Sequence, residues 1–175
     1  MTPAAFAAIE TPLHAVFCFA ATDEGLAWSA FARSESAGRR EAGALFAIEP
    51  RGNAIVREAR RQVRAYFAKR LRTFDLPLVL EGTPLQVAAW RLVASTEWGM
   101  LLAYADVANA IGRPGAHRGV AAAMGRSPLA LFIPAHRVIG ANGTLRGADP
   151  RDSMRGRLLR FEGHRVRAER ARTRP

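Results

Sequence analysis

His136 lies in the hexapeptide Ile133-Pro134-Ala135-His136-Arg137-Val138 and carries an imidazole, the side chain that changes charge nearest neutral pH. Its neighbour Ala135 is inert: a methyl group has no lone pair and no ionisable proton, so it can neither attack carbon nor be activated by a base. Cys18 is the single cysteine, which excludes an internal disulfide and a thiolate zinc cluster within one chain and fits a reducing cytoplasm. It sits in the apolar run Ala15 to Ala21, where a buried small hydrophobe is expected and a nucleophile is not. The four histidines, His14, His117, His136 and His164, have no ligand spacing that would hold zinc, so no metal and no cofactor is expected.

Charge supplies the next constraint. Twenty-six Lys plus Arg stand against fifteen Asp plus Glu, a formal charge of +11, and every cation but Lys69 is an arginine. A polyanionic partner fits that balance, because basic surfaces gain affinity by releasing counterions from phosphate. Biased codon usage and a solvated arginine face fit it too. No stretch reaches membrane-spanning length, and no signal-peptide pattern opens the chain, so a soluble monomer in the cytoplasm (nucleoid-associated if bacterial) is expected, without membrane contact.

The elements that must position these residues follow from periodicity. Leu13 to Ala21 and Leu26 to Ala32 flank Thr22-Asp23-Glu24-Gly25, an antiparallel hairpin. A polar, turn-rich passage runs on through Glu41. Ala54 to Lys69 places Ile55, Val56, Ala59, Val63, Tyr66 and Phe67 on one helical face, with Arg57, Arg60, Arg61 and Arg64 mostly opposite. Phe74 to Leu80 reads as a short edge strand or extended linker, closing a first module, 1–81.

The second module, 82–163, opens with Thr83 as N-cap, Pro84 at the first helical position and Gln86 completing a capping box, for a helix reaching about Thr96 with Trp90 as a packing residue. Tyr104 to Ile111, the turn Gly112-Arg113-Pro114-Gly115 and Ala116 to Gly125 have the order of a helix-turn-helix. The second of these helices is nearly all small, which suits close approach to a DNA groove and equally suits a helix packed inside the protein. Asp149-Pro150-Arg151-Asp152 reads as the start of a last helix, Pro150 to Glu162, before a disordered Arg-rich tail, 164–175. The fold class is α/β (α+β): an N-terminal antiparallel sheet-plus-helix module, then a mostly helical domain with a helix-turn-helix.

Read in order, Gly82-Thr83-Pro84-Leu85-Gln86, Tyr104-Ala105-Asp106-Val107-Ala108, Ile111-Gly112-Arg113-Pro114, Arg118 to Pro128, Pro134-Ala135-His136-Arg137-Val138 and Leu158 to Gly163 resemble successive blocks of the O6-alkylguanine-DNA alkyltransferases. The resemblance covers residues 82 to 163. It implies that Ala135 stands where the family's acceptor cysteine belongs, and that His136 and Glu162 occupy the positions of the relay that activates it. Without a thiol between them, these two are expected as a buried hydrogen-bonded pair.

The resemblance further implies Tyr104 as the wedge at the phosphate 3′ to the target nucleotide and Arg118 as the finger that fills the space of an extruded base. Ala121, Ala122, Gly125 and Arg126 join them as DNA-contacting residues, and Met124, Ser127, Pro134, Ala135, His136, Val138 and Ala148 as the lesion pocket. Two departures stand out: Gly147-Ala148-Asp149-Pro150-Arg151 replaces a Gly-Tyr-x-Gly-Gly-like loop, and Ser127 replaces an asparagine.

That pattern is similar to the alkyltransferase-like proteins. It implies a chain that is not an enzyme, binds double-stranded DNA containing O6-alkylguanine by nucleotide flipping, and passes the lesion to nucleotide excision repair proteins. The alternatives are an active methyltransferase carrying an engineered Cys→Ala at 135, and a DNA-binding regulator without lesion recognition.

Overall fold

Alanine-rich β1 (Pro3–Thr11), β2 (Ala15–Ala21) and β3 (Leu26–Ala32) form an antiparallel meander. The computed structural model describes residues 1–145, 153–167 and 170–172. These fall into two compact units, residues 1–81 with 128–132 and residues 82–127 with 133–175. The segment 128–132, expected within the second module, is thus part of the first unit.

In the first unit the sheet order is β3-β2-β1-β4, with β4 (Ala47–Glu49) parallel to β1. The expected hairpin is present, closed by Thr22 N–H donating to the Gly25 carbonyl at 3.0 Å. Central β2 is covered on both faces, which is why it reads as a continuous apolar run rather than an alternating one. Val16 and Cys18 lie on the side of Ala37, and Ala20 packs with Ala42. On the opposite face Phe17 and Phe19 meet Phe132, which continues through Phe74 to Tyr66.

Two elements of this unit go beyond the sequence reading. The strand β1 was not anticipated, because its buried Ala4, Ala5 and Ala7 carry too little hydrophobic contrast to show a period of two. The polar passage after β3 holds a helix, α1 (Glu35–Gly43), with the Ser34 hydroxyl accepting from Ala37 N–H. Phe74 to Leu80, expected as a short edge strand or extended linker, makes an isolated bridge at the sheet edge, Leu26 to Leu78, and Pro77 has no N–H to continue a ladder. The amphipathic helix α2 (Ala54–Phe67) matches its expected span closely and is capped by Asn53.

In the second unit α3 (Pro84–Ala94) begins with the Thr83/Gln86 capping box. It is followed by β5 (Leu102–Ala103), α4 (Tyr104–Ala110) and α5 (His117–Gly125), with Gly112 and Gly115 at positive φ in the connection. Trp90 of α3 is buried and donates its indole N–H to the Ala123 carbonyl of α5 at 2.9 Å. A 3-10 turn, Ala135–Arg137, leads into β6 (Val138–Ile139), which pairs in parallel with β5.

The last helix, α6, spans Met154–Phe161 and is capped by the Ser153 hydroxyl rather than by Asp149, which lies outside the described residues. The tail expected to be disordered carries a short antiparallel ladder, β7 (Arg165–Arg167) with β8 (Arg170–Arg172). Among the described residues no helix is long and apolar enough to cross a membrane.

Candidate functional site

Residues 133–139 are buried with one exception, the half-exposed Ala135. The register of β5 and β6 sets Leu102 beside Val138 and Ala103 beside Ile139, which brings the start of α4 next to the 3-10 turn. Tyr104, the first residue of α4, is buried at 8 % exposure. Its hydroxyl accepts a hydrogen bond from Arg155 Nη2 of α6 at 3.2 Å, and the same nitrogen donates to the Val138 carbonyl. One guanidinium therefore joins Tyr104 to the segment after Ala135.

The expected His136–Glu162 pair is formed. His136 Nε2 lies 2.9 Å from Glu162 Oε1, with both side chains almost fully buried. A second cation completes the site. Arg137 Nη2 donates to Glu162 Oε1 at 2.7 Å and its Nε to Oε2 at 2.9 Å, while Nη1 donates to the Thr96 carbonyl two residues past the end of α3. Arg137 is only 2 % exposed. Burying a guanidinium is costly unless it is paired and its donors are satisfied, and Glu162 with Thr96 meets both needs.

The electrostatics follow from this sharing. Burial acts to raise the Glu162 carboxyl, but the hydrogen bonds and charges of His136 and Arg137 outweigh it and hold the group well below the usual carboxylate range. Burial lowers the His136 imidazole, helped by the nearby charges of Arg137 and Arg155 and opposed by Glu162. A neutral imidazole beside an ionised carboxylate keeps its proton on Nε2, donating to Glu162, and leaves the lone pair on Nδ1. Such a ring can accept a proton from a group next to it.

On α5 the side chains divide between two faces. Val120, Ala123 and Met124 are buried, whereas Arg118, Gly119, Ala122, Gly125 and Arg126 are exposed and Ala121 is half-buried. The helix therefore presents a small-residue surface with an arginine near each end, and only its other side packs inside. Pro134 and Val138 are buried beside Ala135 and His136. Ser127 is half-buried, and its buried hydroxyl has no hydrogen-bond partner among the described residues. Ala148, like the whole stretch Gly147 to Arg151, lies outside the described residues.

Three participants carried no sequence signal that singled them out: Arg137, Arg155 and Thr96. Arg137 stands inside the hexapeptide, but arginine is so seldom buried that its type alone signals a surface cation. Arg155 and Thr96 have no local pattern around them that would mark a site. Among the described residues no group of three or more His, Cys, Asp or Glu side chains could hold a metal ion. Cys18 belongs to the first unit and is fully buried there.

Residues 84–164 match the family model described as 6-O-methylguanine DNA methyltransferase, DNA binding domain. The chain is 43% identical over 107 residues to the methylated-DNA–protein-cysteine methyltransferase of Methanosarcina acetivorans, a match covering 61% of this chain and 69% of that protein. It is 42% identical over 106 residues to the constitutive methylated-DNA–protein-cysteine methyltransferase of Bacillus subtilis, covering 60% and 64%. The crystal structure of Mycobacterium tuberculosis O6-methylguanine methyltransferase superposes with a TM-score of 0.74 at 30% identity, covering 93% of each chain. A structure of the Mycobacterium tuberculosis protein in complex with DNA gives 0.73 at 30% identity, covering 90% of this chain and 92% of that one. The expectation that this chain is not an enzyme is corrected by these findings, since its relatives are named as methyltransferases, which are enzymes. That expectation rests on Ala135 together with Ser127 and the Gly147 to Arg151 sequence.

Proposed function

The chain belongs to the methylated-DNA–protein-cysteine methyltransferase family, and from that premise we propose that it binds duplex DNA containing O6-alkylguanine and takes the modified base into the pocket around residue 135. In this reading Arg118 enters the duplex from exposed α5, while Ala121, Ala122, Gly125 and Arg126 lie along the minor groove. Tyr104 borders the phosphate of the rotated nucleotide. Met124, Ser127, Pro134, Ala135, His136 and Val138 receive the base, and Ala148 belongs to the same pocket by sequence. Extruding a base costs a few kcal/mol, which the inserted arginine offsets in part.

One observation supports a methyltransferase-type site above all: the buried His136–Glu162 pair lies directly after the one accessible residue of its segment. That is the arrangement a base-activated thiol at position 135 requires, with the carboxylate orienting a neutral ring and the ring drawing the proton from sulfur. In this sequence position 135 holds alanine, which the reading treats as an exchanged acceptor cysteine.

Transfer of a labelled alkyl group from O6-methylguanine duplex to Ala135→Cys tests the reading, with the chain as it stands measured alongside. One alkyl group per polypeptide, located on residue 135 of the variant by peptide mass spectrometry, is expected. A variant that acquires none, although folded, would overturn the methyltransferase reading. A second reading, in which captured lesions are handed to nucleotide excision repair proteins, is favoured by Ala135 together with Ser127 and the Gly147 to Arg151 sequence. It requires tighter binding to an O6-methylguanine duplex than to the matched guanine duplex, and equal affinity would remove it along with lesion capture.

A further inference from the structure

Between residues 57 and 72 the first unit carries seven cations, Arg57, Arg60, Arg61, Arg64, Lys69, Arg70 and Arg72, against one acid, Glu58. Arg57, Arg60, Arg61 and Arg64 line one side of α2, and with Arg70 and Leu71 they border a concave surface of about 570 Å³. Glu58 is committed to Arg61, whose Nε and Nη2 donate to it at 2.8 and 2.6 Å. Arg60, Arg64 and Arg70 have no ion pair among the described residues. Arg57, Arg61, Arg64 and Arg70 are exposed and Arg60 is half-exposed.

We propose that this arginine cleft on α2 is a second nucleic-acid contact, gripping the phosphate backbone of duplex DNA independently of the lesion pocket in the other unit. Like charges brought together around one concavity repel one another, and a row of phosphates relieves that repulsion while releasing counterions. From Arg57 to Arg64 the helix rises about 10 Å, a span over which one DNA strand presents about three phosphates, at one per roughly 3.4 Å of duplex axis. Guanidinium groups also suit phosphate geometrically, through paired N–H donors.

The surroundings argue against other polyanions. A membrane-surface helix needs its apolar face free to enter the bilayer, whereas Val56, Ala59, Val63 and Tyr66 of α2 are buried within the unit. An acidic protein would dock best around aromatic or large apolar anchors, and the cleft offers only Leu71 and Ala65.

The test is a salt titration of full-length chain binding to an undamaged duplex of about 30 base pairs, comparing the parent with the triple variant Arg60→Gln, Arg64→Gln and Arg70→Gln. The slope of log affinity against log salt should fall by about 2 to 3, at about 0.9 for each phosphate no longer neutralised, with at least a roughly tenfold weakening of affinity at low salt. The preference for O6-methylguanine over guanine should stay unchanged. A control triple variant, Arg33→Gln, Arg40→Gln and Arg51→Gln, removes the same charge elsewhere on the first unit. An equal weakening in the control, or an unchanged slope in the cleft variant, would overturn the proposal.

Tripolyphosphate and poly-glutamate serve as competing probes. Specific capture of either by the cleft, with duplex binding unaffected by the cleft substitutions, would reassign the surface to a small polyphosphate or an acidic protein and end the DNA reading. Should the triple variant fail to fold, Glu58→Gln provides the opposite perturbation. Releasing Arg61 should strengthen duplex binding and steepen the salt slope, and no change in either would count against the site.

Discussion

Glu162 Oε1 lies 2.9 Å from His136 Nε2 inside the second unit, and the same carboxylate is also held by Arg137. One buried anion thus orients an imidazole and neutralises a guanidinium. Removing it leaves Arg137 as an unpaired buried charge, so Glu162→Ala should destabilise the unit by roughly 3–5 kcal/mol. Urea unfolding followed through signals of the second unit measures this, and a change below about 1 kcal/mol would mean that Arg137 finds another partner.

The same pair predicts a pH dependence. His136 is held below its unfolded value of about 6.5, so as pH falls through that value the unfolded chain takes up a proton that the folded site does not, and stability is lost. Glu162 is also depressed, so its contribution is present above the unfolded carboxylate value of about 4.3 and is lost as pH falls further toward its folded value. Stability of the second unit should therefore decline from about pH 7 downward, first as His136 in the unfolded chain takes up its proton and, below about pH 4, as Glu162 does. In His136→Gln the part of the decline near pH 6.5 should disappear, and a profile identical to the parent's would show that His136 does not carry it.

Arg118 is exposed on α5, and in the proposed function it fills the space left by the extruded base. Arg118→Ala should weaken binding to O6-methylguanine duplex by about tenfold or more, on the order of 1–3 kcal/mol, and should reduce the fluorescence change of a 2-aminopurine reporter placed at the target position. Full retention of both signals would remove base extrusion by this residue.

In the first unit Cys18 packs against Gly38 so closely that a Cβ at residue 38 would lie 2.3 Å from the sulfur. Gly38→Ala should cost about 1–3 kcal/mol by overpacking, and adding Cys18→Ala should recover part of it. Burial, helped by Glu35, Glu41 and Glu10, pushes the Cys18 thiol up to about 11. Native protein should therefore resist a thiol reagent at about pH 8 and react only on unfolding, and rapid labelling of the folded chain would contradict the burial.

The ordered blocks of residues 82–163, the span of α2, the capped start of α3 and the helix-turn-helix were legible in the chain because each depends on residues within a few turns of helix. So was the pairing of His136 with Glu162, but only through resemblance to a family. Alanine-rich β1 and helix α1 escaped, the first because its periodicity has little contrast and the second because its residues are mostly polar or small.

By itself the sequence determined which residue types are available at each position: alanine rather than cysteine at 135, arginine rather than lysine almost everywhere, and one thiol inside an apolar strand. Only the tertiary structure decided that Arg137 shares the carboxylate of Glu162, 25 residues away, and that Arg155 joins Tyr104, 51 residues away, to the segment after Ala135. No local period encodes such partners. They are selected when the chain closes and each buried charge or donor must find a counterpart, because leaving one unmatched costs more than any helix or strand propensity can return.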